Sequence, residues 1–181
     1  PSFILNTEHF LAKIATVYCT QESLLFTLDV TSLYTNINTE KGINVIWKLL
    51  IENNSQVPVN CIITLMRNCL LRNDFLFDNQ RYVQIQGTAM GCSFAPSYAN
   101  LFMGNIETEI YQLDDFENVT CWLRFIDDIF GVWQGSRVSL EEFFDKLNNL
   151  DENIKFTGEI NDSEINFLDV TIFKDKQSNK L

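Results

Sequence analysis

The sequence predicts an α+β domain, with helices interspersed around a mainly antiparallel sheet. Three observations carry that expectation. Nearly continuous apolar runs at Ser23–Val30 and around Leu123–Trp133 read as strands with little water on either face. Other segments repeat their apolar residues at helical spacing. Finally, no internal repeat, low-complexity tract or linker divides the 181 residues, so a single domain with a substantial core is the simplest organisation.

In chain order, Asn6 is placed to cap a first helix whose Phe10, Leu11, Ile14 and Tyr18 share a stripe. The strand Ser23–Val30 follows and ends in a single aspartate, Asp29, just before Val30. Residues 31–37 are too polar for more core strand and read as a turn or short helix. Ile43, Ile46, Trp47 and Leu50 mark a second helix. Pro58 suits the first turn of a third, whose inner stripe is Ile62, Leu65, Met66, Cys69 and Leu70. A hairpin then pairs residues 74–77 with 81–85 across Asp78-Asn79-Gln80. A small-residue loop from Gln86 to Pro96 leads into a helix with Tyr98, Leu101, Phe102, Ile106 and Ile110 on its apolar face, ending near Asp114. After the Leu123–Trp133 hairpin come a helix over about 139–150 and two strands, 154–160 and 165–173.

Composition narrows the class. The hydrophobic content of 46% and aromatic content of 13% fit a packed globule. No apolar run reaches the length of a membrane span, and no secretory signal opens the sequence. Beginning at Pro1, the chain reads as a fragment or processed product. Cys19, Cys61, Cys69, Cys92 and Cys121 lack Cys-x-x-Cys spacing and read as reduced core residues of an intracellular protein, neither disulfides nor a zinc site. The one histidine, His9, has no sequence-level catalytic partner and reads as structural. With acids outnumbering bases 24 to 13 and a net charge of −11, the chain taken alone argues against a polyanion partner, unless basic surfaces lie in portions outside it.

The chemistry concentrates in acids. Asp127 and Asp128 sit at the tip of the Leu123–Trp133 hairpin, where adjacent carboxylates repel each other unless a cation neutralises them. An isolated Asp-Asp pair reads as a solvated turn, and Asp29 alone as a strand-end cap. If the two strands are neighbours, the three carboxylates converge at one edge of the sheet. Hard oxygen donors of this kind suit Mg²⁺ or Mn²⁺, and two such ions can serve an in-line phosphoryl transfer.

Four segments in order resemble a reverse transcriptase palm, most closely that of Penelope-like retroelements, which are related to telomerase reverse transcriptase. Residues 27–37, TLDVTSLYTNI, resemble the first palm motif, an aspartate followed five residues later by an aromatic. Residues 86–91, QGTAMG, with Phe94-Ala95-Pro96 and Asn100-Leu101, are similar to the second. Phe125-Ile126-Asp127-Asp128 matches the third, with phenylalanine where many family members carry tyrosine. Residues 154–159 and 165–170 look like the segments leading to the primer grip. Together they span Thr27 to Phe173, most of the chain.

The resemblance implies a polymerase right-hand palm with part of the fingers over 1–181, acting as an RNA-directed DNA polymerase. Asp29, Asp127 and Asp128 would hold two Mg²⁺ or Mn²⁺ ions, with the Val30 carbonyl completing one shell. Tyr34 would lie under the incoming sugar and exclude a 2′-hydroxyl, and Gln86 and Gly87 would line the nucleotide site. Lys155 is a candidate proton donor to pyrophosphate, although a lone strand lysine is more often solvated. Arg124 would meet either phosphate or an internal carboxylate, and Phe167, Leu168 and Asp169 either the primer end or the core. The implied partners are an RNA template, a DNA primer and a deoxynucleoside triphosphate, in a nuclear setting without a membrane. The upstream fingers, the thumb and an endonuclease domain of many family members have no counterpart in the chain. The rival expectation is a non-catalytic, domesticated palm serving as a binding module.

Overall fold

A computed structural model describes residues 2–175 and 180–181. The elements run α1 (Thr7–Ile14), β1 (Leu24–Val30), α2 (Leu33–Asn36), α3 (Thr39–Glu52), α4 (Val59–Leu71), β2 (Asp74–Phe77), β3 (Gln80–Val83), α5 (Ala95–Ile110), β4 (Val119–Phe125), β5 (Asp128–Trp133), α6 (Arg137–Leu150), β6 (Phe156–Asn161), β7 (Glu164–Phe167) and β8 (Val170–Phe173). A 3₁₀ turn at Asp114–Asn118 precedes β4. Packing divides them into two compact units. Pro1–Thr31 with Glu109–Leu181 form one, and Ser32–Thr108 form the other.

The first unit holds a four-stranded sheet in the order β4-β5-β1-β6, antiparallel at every pairing. β1 is central, which is why its sequence is apolar on both faces: Leu24, Leu25, Phe26, Leu28 and Val30 are all buried. On one face the rings of Phe10, Phe130 and Phe167 meet at 4.7–5.8 Å, packed with Leu25, Leu123 and Ile165. On the other, Phe26 lies against Trp122 and Phe144 and directly over its register partner Gly131. A Cβ at Gly131 would fall 2.0 Å from the Phe26 ring, so the missing side chain is the seat of that ring. Each such buried ring contributes about 1.5–3 kcal/mol through the apolar surface it removes from water.

Two local devices frame the sheet. The chain start covers the β4 edge: Arg124 N donates to Ser2 O, and Ile4 N to Arg124 O, each at 2.9 Å. The helix α6 is capped by Ser136, whose hydroxyl accepts from Ser139 N. Its last turn is held by Lys155, whose ammonium donates to the carbonyls of Asn148 and Asp151 at 2.6 and 2.9 Å.

In the second unit Asn38 caps α3 by accepting from Lys41 N, and α4 packs on α3. The β2–β3 hairpin turns on Asp78 and Asn79, both with positive φ (+48° and +58°), as a type I′ connection requires.

The expected fold class is the observed one, and several expected details change. The first helix stops at Ile14, so Tyr18 lies beyond it and, like Leu11, is exposed. Trp47 is exposed as well. The α4 stripe is inner only in part: Leu70 is buried and Ile62 and Met66 are half-buried, while Leu65 is 66% exposed and Cys69 is exposed too. All five cysteines are free, but Cys61 and Cys69 lie on the surface of α4 and only Cys19 and Cys121 are buried. The strand expected over 165–173 is a hairpin of β7 and β8, because Leu168 adopts a φ of +51° and turns the chain.

Candidate active site

The tip of the β4–β5 hairpin is a two-residue turn, Ile126-Asp127, closed by the pair Phe125↔Asp128. Ile126 has a φ of +55° and Asp127 does not have a positive φ, the pattern of a II′-type turn, in which glycine usually takes the first central place. A β-branched residue there holds strain of about 1–3 kcal/mol, which persists only where the surroundings enforce it. Two hydrogen bonds do so. Arg124 Nη1 donates to the Ile126 carbonyl at 3.0 Å, and Val30 N donates to the Asp127 carbonyl at 3.2 Å. The second bond ties the tip to the end of β1.

The β1–β5 register sets Asp29 directly opposite Asp128. Cross-strand partners project from the same face with Cβ atoms about 4.5–5.5 Å apart, so the two carboxylates share one side of the sheet end. Asp29 is exposed, whereas Asp127 and Asp128 are half-buried. Burial pushes the Asp127 carboxyl above the usual carboxylate range, and the charge of Asp29 adds to the rise. Asp128 is raised by burial first, then by Asp127 and Asp29. Three mutually repelling oxygen donors are the chemistry that a hard divalent cation relieves, so in donor type they suit Mg²⁺ or Mn²⁺. They are not closed into a cage: among the described residues, no group of three His, Cys, Asp or Glu side chains is arranged to hold an ion.

Beside Asp29 and Asp128 opens a cavity of about 380 Å³. Thr157 and Gly158 of β6 and Asn166, Phe167 and Leu168 of the β7–β8 hairpin line it. Thr157 and Asn166 fall within the segments 154–159 and 165–170 that resemble the approach to the primer grip, but exposed polar residues on a strand carry no signature that marks them individually. Phe167 is at once a core ring and part of this lining, while Asp169 accepts a hydrogen bond from the Thr7 hydroxyl.

The second unit brings Tyr34 together with the 86–88 loop. Ser32, at a φ of +50°, starts α2, and Tyr34 follows half-buried. Its carbonyl accepts from Thr88 N at 2.7 Å, and Gln86 Nε2 donates to the Asn36 carbonyl at 3.2 Å. Gly87 has a φ of +75°, and a Cβ on it would sit 2.2 Å from the Tyr34 carbonyl oxygen. The glycine therefore serves the chain's own close approach to Tyr34-Thr35. That is a different use from the open backbone for substrate that the resemblance implies.

Two basic residues have structural employment. Lys155 carries its ammonium on the α6 carbonyls, a placement that lends nothing to a proton-donor role. Arg124 is 2% exposed, and its guanidinium grips the strained turn. A lone arginine amid apolar neighbours was the sequence signal for it, but not for its acceptor.

Residues 5–161 match the family described as reverse transcriptase (RNA-dependent DNA polymerase). No curated protein matches the chain. Among solved structures, apo telomerase from Candida tropicalis truncated from its C-terminal domain has a TM-score of 0.73 at 15% identity, over 95% of this chain and 39% of that one. Telomerase from Candida albicans in complex with a TWJ fragment of telomeric RNA gives 0.73 at 10% identity, over 98% and 35%. The BmCPV RNA-dependent RNA polymerase at elongation state gives 0.67 at 13% identity, over 93% and 17%. The chain thus has the length of about two fifths, or less, of these proteins, and the likeness is one of fold.

Proposed function

The chain belongs to the reverse transcriptase (RNA-dependent DNA polymerase) family, and from that premise we propose that it is the palm, with part of the fingers, of an RNA-directed DNA polymerase from a Penelope-like retroelement. The observation that carries this reading is the Asp29↔Asp128 register with Asp127 beside it on a turn tied to Val30. Strands far apart in sequence deliver three carboxylates to one sheet end, in the order and spacing of the family's motifs.

In this reading the primer 3′-hydroxyl gives up its proton to solvent as its oxygen bonds to the α-phosphorus of a deoxynucleoside triphosphate, and the bond to the leaving pyrophosphate breaks. Asp29, Asp127 and Asp128, with the Val30 carbonyl, would hold two Mg²⁺ or Mn²⁺ ions, which would supply charge stabilisation to the phosphoryl transfer. The aspartates act as ligands and orient the reacting oxygens. Tyr34 lies under the incoming sugar and selects against a 2′-hydroxyl, and Gln86 and Gly87 shape the nucleotide site. The cavity beside Asp29 takes the primer end, an assignment that the lining by Phe167 and Leu168 supports. An RNA template and DNA primer are the partners, with most phosphate contacts coming from basic segments outside this acidic chain.

Primer extension with deoxynucleotides and Mg²⁺ tests the reading, comparing the full-length protein with Asp127→Asn. Extension is expected to fall by roughly a hundredfold or more in the variant, the loss typical of removing a group that stabilises transition-state charge. Equal extension by both proteins would sink it.

A further inference from the structure

We propose that Arg124 is a positioning residue for Asp127 and Asp128, acting through the backbone of Ile126. The proposal rests on the polymerase reading, since it says how the turn that presents the carboxylates keeps its shape.

Arg124 is buried on β4, and a guanidinium removed from water must be matched by acceptors inside the fold. One acceptor is the Ile126 carbonyl. That carbonyl belongs to the peptide plane from which Asp127 starts, and Ile126 itself sits at a φ that β-branched residues avoid. A charge-assisted hydrogen bond on the carbonyl fixes the orientation of that plane. Without it the strain is relieved by rotating the plane, which swings the Asp127 carboxylate relative to Asp29 and Asp128. The guanidinium works from a fixed base, because the Arg124 backbone is bonded to Ser2 and Ile4 along the β4 edge. The arginine thus stands in for the glycine that the turn geometry calls for, and it gives the turn a single shape where glycine would give several.

The prediction concerns cation affinity separately from fold stability. Mn²⁺ binding to the full-length protein, read by the electron paramagnetic resonance of the free ion, is compared for wild type, Arg124→Met, Ile126→Gly and the double variant. Thermal unfolding is followed in parallel. Arg124→Met is expected to weaken Mn²⁺ binding by about tenfold or more, the usual effect of losing a group that orients a metal ligand. Ile126→Gly in the Arg124→Met background is expected to recover most of that loss, because glycine adopts the turn without enforcement. A folded Arg124→Met protein that binds Mn²⁺ like wild type overturns the proposal, and so does a loss that Ile126→Gly leaves unrepaired. If Arg124→Met does not fold, Arg124→Lys takes its place, with a smaller loss expected and the same repair by glycine. An unchanged or unrepaired lysine variant overturns the proposal equally. Wild-type protein that fails to bind Mn²⁺ at all brings down the polymerase reading and this proposal with it.

Discussion

Asp29 and Asp128 are direct partners across the β1–β5 ladder, two like charges where a sheet ordinarily sets opposite or neutral ones. Like charges in that position cost up to about 1 kcal/mol. Asp128→Asn is therefore expected to raise the melting temperature in the presence of a chelator while abolishing primer extension. Divalent cation should raise the melting temperature of the wild type more than that of the variant. Calorimetry with and without Mg²⁺ checks this, and a variant less stable than wild type in chelator contradicts it.

Gly87→Ala is expected to destabilise the Ser32–Thr108 unit by about 1–3 kcal/mol or more, since both the positive φ and the clash with the Tyr34 carbonyl act against it. Limited proteolysis around residues 84–92, compared with wild type, reads the effect. An unchanged cleavage pattern would mean that the loop does not depend on this close approach.

Gly131→Ala places a methyl group inside the Phe26 ring and is expected to cost roughly 1–3 kcal/mol by overpacking. Phe26→Leu should cost stability alone yet recover part of the loss in combination. The double-mutant cycle is expected to give a coupling of about 0.5–3 kcal/mol, and additivity of the two changes would refute the contact.

Burial pushes the Cys121 thiol up to about 12 from its ordinary 9.0, with Lys13 opposing the shift. A raised folded-state value means that the folded protein holds this proton more tightly than the unfolded chain. The corresponding stability is fully present below 9.0 and is lost as pH rises toward 12. In the native protein at about pH 8, iodoacetamide is expected to modify Cys61 and Cys69 readily and to reach Cys121 only after denaturation. Peptide mass mapping checks the order, and early labelling of Cys121 contradicts it.

Lys155→Met removes the donor to the Asn148 and Asp151 carbonyls. A stability loss of about 0.3–1 kcal/mol is expected, the size of a cation at a helix C-terminus. The kcat for extension is expected to change by less than about tenfold, because proton transfer by a positioned group contributes about 10²–10⁴. A larger fall in kcat at unchanged stability would restore the proton-donor role.

The fold class and the paired aspartates were legible because central strands must be apolar on both faces, and a charged pair interrupting such a run stands out. Phe26, Leu28, Ile129 and Phe130 announce the strands, and Asp127 and Asp128 the tip. The β7–β8 hairpin was not legible, because it turns on Leu168 with no glycine or asparagine to mark it. The α4 stripe was legible only in part: helical spacing records which residues share a face, not how much of that face a neighbour covers, and Leu65 and Cys69 fall outside the covered part. Gly87 could be picked out but not explained, since a glycine requirement names no neighbour. The Tyr34 carbonyl beneath it emerges only in three dimensions.

The insertion of the Ser32–Thr108 unit between β1 and its partner strands also governs how the chain is made. β1 leaves the ribosome about a hundred residues before β5 and still earlier than β6, an interval of several seconds at roughly 5–20 residues per second. Throughout it, a central and largely apolar strand of the sheet has open edges on both sides. The nascent protein is thus most vulnerable to association through Leu24–Val30 during synthesis, and a chaperone that holds this segment would affect yield more than any change on the finished surface.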